Sequence, residues 1–237
     1  MDAKVFDALF FWFPAFLLST TVHEAAHAWA ALRGGDRTAY EGGQVSLSPL
    51  PHIRREPFGM VVVPVLTGLM NGWTMGWASA PYDPAWADRH PKRAAWMAAA
   101  GPGGNLALAL LAFAAIKAGL LAGVFDAPER LGMTRLVVDA AGSDVSVAAF
   151  AAKGLSVLLT LNVLLAAFNL LPVPPLDGLA VTGLFLPDGL SRTLRGFAHS
   201  PLSMLGVLVA WQVFPHVARP LFFAVADLLH PGMYVRG

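Results

Sequence analysis

The 237-residue chain contains no cysteine. Disulfide scaffolding and thiolate metal sites are therefore excluded, although the cell compartment is not decided. Charge is scarce as well. Asp, Glu, Lys and Arg make up 13% of the residues, about half the roughly 25% of a soluble domain. Net charge is +1, so no global basic field exists to recruit nucleic acid. There is no GxGxxG or Walker pattern after a strand, and Gly103-Gly104 is too short a glycine signal to cradle phosphate. No internal repeat or low-complexity tract is present. What fills the chain is apolar: 56% hydrophobic residues and a mean hydropathy of +0.59. That balance describes an integral membrane protein.

A spanning helix needs about 20 mostly apolar residues. Residues 5–32, 94–123 and 146–171 qualify. Residues 202–229 are apolar too, but Pro215 and Pro220 interrupt them, which leaves one kinked span or two shorter pieces. The first run is too long for a cleavable signal and carries chemistry, so it is expected to stay in the mature protein. Residues 57–80 are apolar but punctuated by Pro64, Gly68, Gly72 and Gly76. If they crossed fully, the end of 146–171 would lie on the face opposite the end of the first helix. If they dip in and return, both ends share one face, which is permitted where protein or a wet cavity surrounds the irregular backbone. Loop charges favour the second arrangement. It gathers Arg33, Arg37, Arg54, Arg55, Arg89, Lys92, Arg93, Arg192 and Arg195 on one face, and leaves the mixed-charge loop 124–145 on the other. By the positive-inside rule the first face is cytoplasmic. The expected fold is thus an all-α polytopic membrane protein. It has about 4–6 transmembrane helices, with a re-entrant or β-containing membrane segment between the first two core helices.

The first apolar run contains His23-Glu24-Ala25-Ala26-His27. Ionisable groups in a membrane helix are costly to hold and read as functional. Four residues turn a helix by about 400°, so His23 and His27 project from one face and can bind one Zn²⁺. Glu24, beside them, is placed to deprotonate a water. Small flanking residues (Ala25, Ala26, Ala28, Ala30, Ala31) let other helices approach closely. A catalytic zinc needs a third protein ligand and an open position. Asp177, in Asn169-Leu-Leu-Pro172-Val-Pro174-Pro175-Leu-Asp177-Gly178, is the best candidate; its alternative is a solvated turn aspartate. Three prolines end the preceding helix there, and Gly178 permits a tight turn.

The HExxH run, with NxxPxPxxDG at the end of a later apolar helix, resembles the site-2 protease family of intramembrane zinc metalloproteases. Ser46-Leu47-Ser48-Pro49-Leu50-Pro51-His52, Met75-Gly76-Trp77-Ala78 and Ala100-Gly101-Pro102-Gly103-Gly104-Asn105 resemble three further blocks of that family, in the right order. Ser79 stands where short members often carry Lys, and no PDZ or CBS region is present. The resemblance implies one Zn²⁺ per chain on His23, His27 and Asp177, Glu24 as general base, and a metal reached from the cytosolic side of the cell (inner) membrane. It implies residues 1–237 as one metalloprotease domain, with a catalytic core of about 5–180 and a C-terminal helical segment of about 200–230. The partners it implies are the lipid bilayer and a membrane-protein substrate with a transmembrane helix, and no nucleic acid; oligomeric state is open. Asn105 either hydrogen-bonds the substrate backbone or oxyanion, or joins helices. Asn162 reads as a packing contact, Asn169 sits closer to the metal loop, and His52 reads as an interfacial loop histidine. Trp12, Trp29, Trp73, Trp77, Trp86 and Trp96 fall near span ends, where interface anchoring explains them. Substrate must unwind to be cut, and 44–48 or the β-branched run 57–66 is expected to offer it a strand edge. Two other classes share the composition: a membrane zinc metallohydrolase acting on a lipid or small amide, and a non-catalytic zinc-binding scaffold. Only the second has no use for Glu24.

Overall fold

The computed structural model describes residues 3–198, 200 and 202–234; residues 1–2, 199, 201 and 235–237, which the single-domain expectation includes, lie outside the described residues. Four helices are long and apolar enough to cross a membrane: α1 (Val5–Gly34), α3 (Pro91–Leu121), α4 (Val147–Asn169) and α7 (Ser203–Leu229). Between α1 and α3 lies α2 (Phe58–Asn71), too short to span. It is followed by an extended stretch that leads back to α3. This is the re-entrant arrangement that the loop charges favoured. Two short helices join α4 to α7: α5 (Asp177–Val181) and α6 (Asp188–Ala198).

Both α1 and α2 contain a π-helical turn, Ala8–Trp12 and Phe58–Val62. Each lies directly upstream of a proline, Pro14 and Pro64. Proline lacks an N–H and its ring collides with the carbonyl four residues back. In both helices that residue, Phe10 or Met60, sits inside the wide turn, which absorbs the collision without ending the helix. Residues 57–66 are accordingly helical, not the strand their valines suggested, and 44–48 form bends rather than an edge. In apolar surroundings a helix satisfies its own backbone, whereas a strand needs a neighbour. α7 runs continuously through Pro215 and Pro220 as one helix. Among the described residues the only sheet is the pair β1 (Phe125–Asp126) and β2 (Val138–Asp139), antiparallel, in the loop between α3 and α4.

The core is built where α1, α3 and α4 meet. Phe11, Trp12, Ala15 and Phe16 of α1 pack against Val157 and Leu161 of α4. Ala109, Ala112 and Ile116 of α3 pack with Leu159 of α4 and with Phe125, Leu136 and Val137 of the loop between α3 and α4. Trp12 and Trp86 are buried, so interface anchoring does not describe them, while Trp29, Trp77 and Trp96 are exposed. The C-terminal end of α1 is tied down by polar contacts. Gly35 closes the helix in the left-handed region, with φ of 99°. The Gly34 carbonyl accepts from the Trp86 indole and from Arg93, each at 3.1 Å. Asp36 accepts from the Thr38 backbone and hydroxyl and from the Asp83 N–H. Burial pushes the Asp36 carboxyl up, but these hydrogen bonds outweigh it and hold it below its ordinary value. Near the N-terminal end of α1, Lys153 of α4 pairs with Asp7 at 2.5 Å over the Phe11 ring.

Candidate metal centre

His23 and His27 come together by helical periodicity; Asp177 arrives from the far end of α4. The polyproline turn after α4 stops that helix, and α5 begins at Asp177. Gly178 serves this turn through close approach rather than a left-handed backbone. A Cβ there would stand 2.3 Å from the carbonyls of Leu170 and Leu171. The result is a compact triangle. His27 Nε2 lies 3.0 Å from His23 Nε2, and Asp177 Oδ2 lies 3.1 and 3.3 Å from the two nitrogens.

The tautomers follow from the other ring nitrogens. His27 Nδ1 faces the Met97 carbonyl at 2.8 Å. A carbonyl can only accept, so Nδ1 carries the hydrogen and Nε2 offers its lone pair. The Met97 carbonyl stands next to that of Ala98, whose helical donor Pro102 removes. His23 Nδ1 lies 2.6 Å from Asn105 Oδ1 and donates to it in the same way. With both rings neutral, two imidazole lone pairs and a carboxylate oxygen converge with no hydrogen among them. Only a positive charge holds such a set together. The spacings suit a tetrahedral zinc ion, whose bonds of about 2.0–2.1 Å to nitrogen place neighbouring ligands about 3.3 Å apart.

The walls of the triangle fit the same reading. Gly101 of α3 lies against it: a Cβ there would fall 2.2 Å from His27 Nε2 and 2.6 Å from His23 Nε2. Glu24 is buried, and its Oε2 has no hydrogen-bond partner. An unpartnered buried carboxylate oxygen is costly, and Glu24 follows His23 directly on the same helix.

Asn105 is fully buried, and the bundle uses its whole amide. Its oxygen faces His23, and its two hydrogens go to the Ser19 carbonyl at 3.2 Å and to Asn162 Oδ1 at 2.9 Å. Of the two roles expected for it, this geometry offers the interhelical one, not a direct contact to substrate. Asn169 donates to the Leu165 carbonyl. His52 is buried rather than interfacial; its Nε2 donates to the Ser46 carbonyl and steadies the 44–48 bend. Ser79 donates to Glu56 at 2.6 Å. Gly101 was legible in the sequence only as part of a block, and the Met97 carbonyl carried no signal at all, since a backbone acceptor has no side-chain signature.

Comparison with known proteins agrees with this geometry. No solved structure matches the chain significantly. YwhC of Bacillus subtilis (strain 168), whose name places it among the zinc metalloproteases, is 31% identical over 212 residues, covering 89% of this chain and 85% of that protein. Rip2 of Mycolicibacterium smegmatis (strain ATCC 700084 / mc(2)155), named likewise, is 29% identical over 206 residues, covering 87% and 68%. The profile of Peptidase family M50 matches residues 11–212, which takes in both histidines and Asp177, and the chain therefore belongs to this family of metalloproteases.

Proposed function

We propose that the chain cleaves a peptide bond in or near a transmembrane segment of a membrane protein, at a site open to the cytoplasmic side of the cell membrane. The observation that carries this reading is the convergence of His23, His27 and Asp177 beside an unpartnered Glu24, inside helices long enough to span. One zinc ion held by the three residues would supply Lewis-acid polarisation of a carbonyl and would acidify water toward a pKa of about 7. Glu24 Oε2 takes the proton from that water and returns it to the leaving amine. Gly101 leaves room above the imidazoles, and the helices around them exclude bulk water.

A substrate helix has its peptide groups already bonded and must open locally. The extended run Trp73–Asp83 is built to receive it. Gly76 packs against Phe16, near the middle of α1, while the Asp83 N–H reaches Asp36, past its cytoplasmic end. Residues 77–82 therefore travel alongside the HExxH turn. The run is tied to Gly59, Thr67, Arg55 and Asp36, and an unwound substrate could add along it as a strand.

The test is cleavage of a membrane-spanning peptide by Glu24→Gln. Turnover should fall by at least about 10³-fold, with one zinc per chain retained. Undiminished cleavage would remove Glu24 from the mechanism. Proline at Ala78 or Ala80 should abolish cleavage while leaving zinc in place; unchanged cleavage would rule out strand addition there.

A further inference from the structure

Three buried amide or hydroxyl side chains form an unbroken path from the floor of the bundle to the metal centre, and every step of it has a direction. Asn162 of α4 donates through Nδ2 to its own helix's Leu158 carbonyl at 2.9 Å and to Ser19 Oγ at 2.8 Å. Ser19 passes its hydrogen to the Ala15 carbonyl at 2.6 Å, so its oxygen is left to accept. The two carbonyls can only accept, which settles which end of the Asn162 amide is NH₂. Asn162 Oδ1 is thereby turned to Asn105, which must present its own NH₂ at 2.9 Å. The Ser19 carbonyl, accepting from the same nitrogen at 3.2 Å, reinforces that choice. Asn105 Oδ1 is then the atom left for His23, and His23 must carry its hydrogen on Nδ1. Ser19, Asn105 and Asn162 are all fully buried, so no bulk water competes at any step.

We infer that Asn162 is a positioning residue for metal binding: acting through Asn105, it locks His23 into the tautomer whose Nε2 lone pair faces the metal. The inference rests on the three-ligand reading of the centre. Without the Asn162 acceptor, only the longer contact to the Ser19 carbonyl at 3.2 Å holds the Asn105 amide, and an NH₂ turned toward His23 opposes an N–H there. The partner of a metal-bound histidine's second nitrogen commonly sets metal affinity by about 10–100-fold; here that partner is itself set by a residue one step further away.

The measurement is zinc affinity, by chelator competition, of the full chain purified in detergent, together with thermal stability without metal. Asn162→Leu should weaken zinc by about tenfold, and Asn105→Leu by at least as much. Because the path is shared, the double variant should bind no worse than Asn105→Leu alone. Asn162→Asp should stay within about twofold of the wild type, since an aspartic acid in either protonation state still offers Asn105 an oxygen acceptor. Asn162→Ala stands in if the leucine variant does not fold. The inference is overturned if Asn162→Leu or Asn162→Ala lowers metal-free stability yet binds zinc like the wild type, since that is bundle glue alone. It is overturned equally if the losses from Asn105→Leu and Asn162→Leu multiply. Absence of zinc from the wild type would instead overturn the metal centre, and the relay with it.

Discussion

α1 and α7 are both apolar enough to span, yet 44% of the most apolar stretch of α1 is buried inside the protein and only 6% of that of α7. α1 turns Ser19, Thr20, His23, Glu24 and His27 inward, into contact with two other helices. α7 presents Met204, Leu205, Leu208 and Val209 outward. Hydropathy thus separates lipid from water but not lipid from protein, because both surroundings are apolar. Attachment differs too. α7 is held at its ends and, between them, by Phe214, whose ring meets Phe168 of α4 edge-on at 5.0 Å. At its N-terminal end Gly206 presses on the Pro174 carbonyl in the turn that carries Asp177, where a Cβ would fall 1.8 Å from that oxygen. At its C-terminal end His230 donates to the Leu136 carbonyl at 2.8 Å, and Lys117 to the Leu229 carbonyl at 3.1 Å. Between these ties an apolar groove of about 400 Å³ opens among α3, α4 and α7. The core helices hold the chemistry, and α7 meets it at one glycine.

The sharpest test of this division lies on the core side. Gly101→Ala places a methyl group against both imidazoles, so zinc content should fall to near zero, as in Asp177→Ala, which removes a ligand outright. Metal analysis of the two purified variants checks this. Zinc retained in Gly101→Ala would mean that α3 does not wall the centre. Next in size is Gly206→Leu. Overpacking of this kind costs about 1–3 kcal/mol, and here it pushes on the Asp177 turn. Zinc affinity and cleavage should both drop, whereas Leu208→Ala on the same helix should change stability by no more than about 0.5 kcal/mol. If the two α7 variants behave alike, the helix is either wholly coupled to the site or wholly separate from it.

Smaller still is the effect at the tie that follows α1. The folded carboxyl of Asp36 sits below its ordinary value of 3.8. Its contribution is therefore complete at neutral pH and is lost as pH falls below that value toward the folded pKa. Asp36→Asn should melt lower than the wild type at neutral pH, and the gap should narrow under acid. A gap that stays constant down to pH values well below 3.8 would exclude Asp36 as its source.

Much of this arrangement was legible beforehand because it is local. The spans follow from runs of apolar residues, and the His23–His27 pair follows from helical pitch. The return of the chain before α3 followed from counting loop charges on either face. The failures share one cause, the choice of partner. Val61, Val62, Val63 and Val65 favour strands by local preference, but no neighbouring strand exists there and the surroundings are apolar, so the segment became a helix. The extended run Trp73–Asp83 has no β-branched pattern to announce it; it is stretched by its ties to Gly59 and Asp36. Trp12 and Trp86 were placed by proximity to span ends, yet packing drew both inside.

By itself, the amino-acid sequence determined that this protein enters a membrane, that two histidines and a glutamate share one turn of a buried helix, and that a carboxylate after a proline turn lies on the same face of the membrane. Those are consequences of spacing and transfer energy, which a chain carries residue by residue. Only the tertiary structure decided that Asp177 Oδ2 stands within 3.3 Å of both imidazole nitrogens, that Gly101 backs them, and that Asn105 gives its oxygen to His23. An amide has no preferred end of its own. Its orientation was settled by carbonyls on two other helices, α1 and α4, and those carbonyls meet only when the chain has folded.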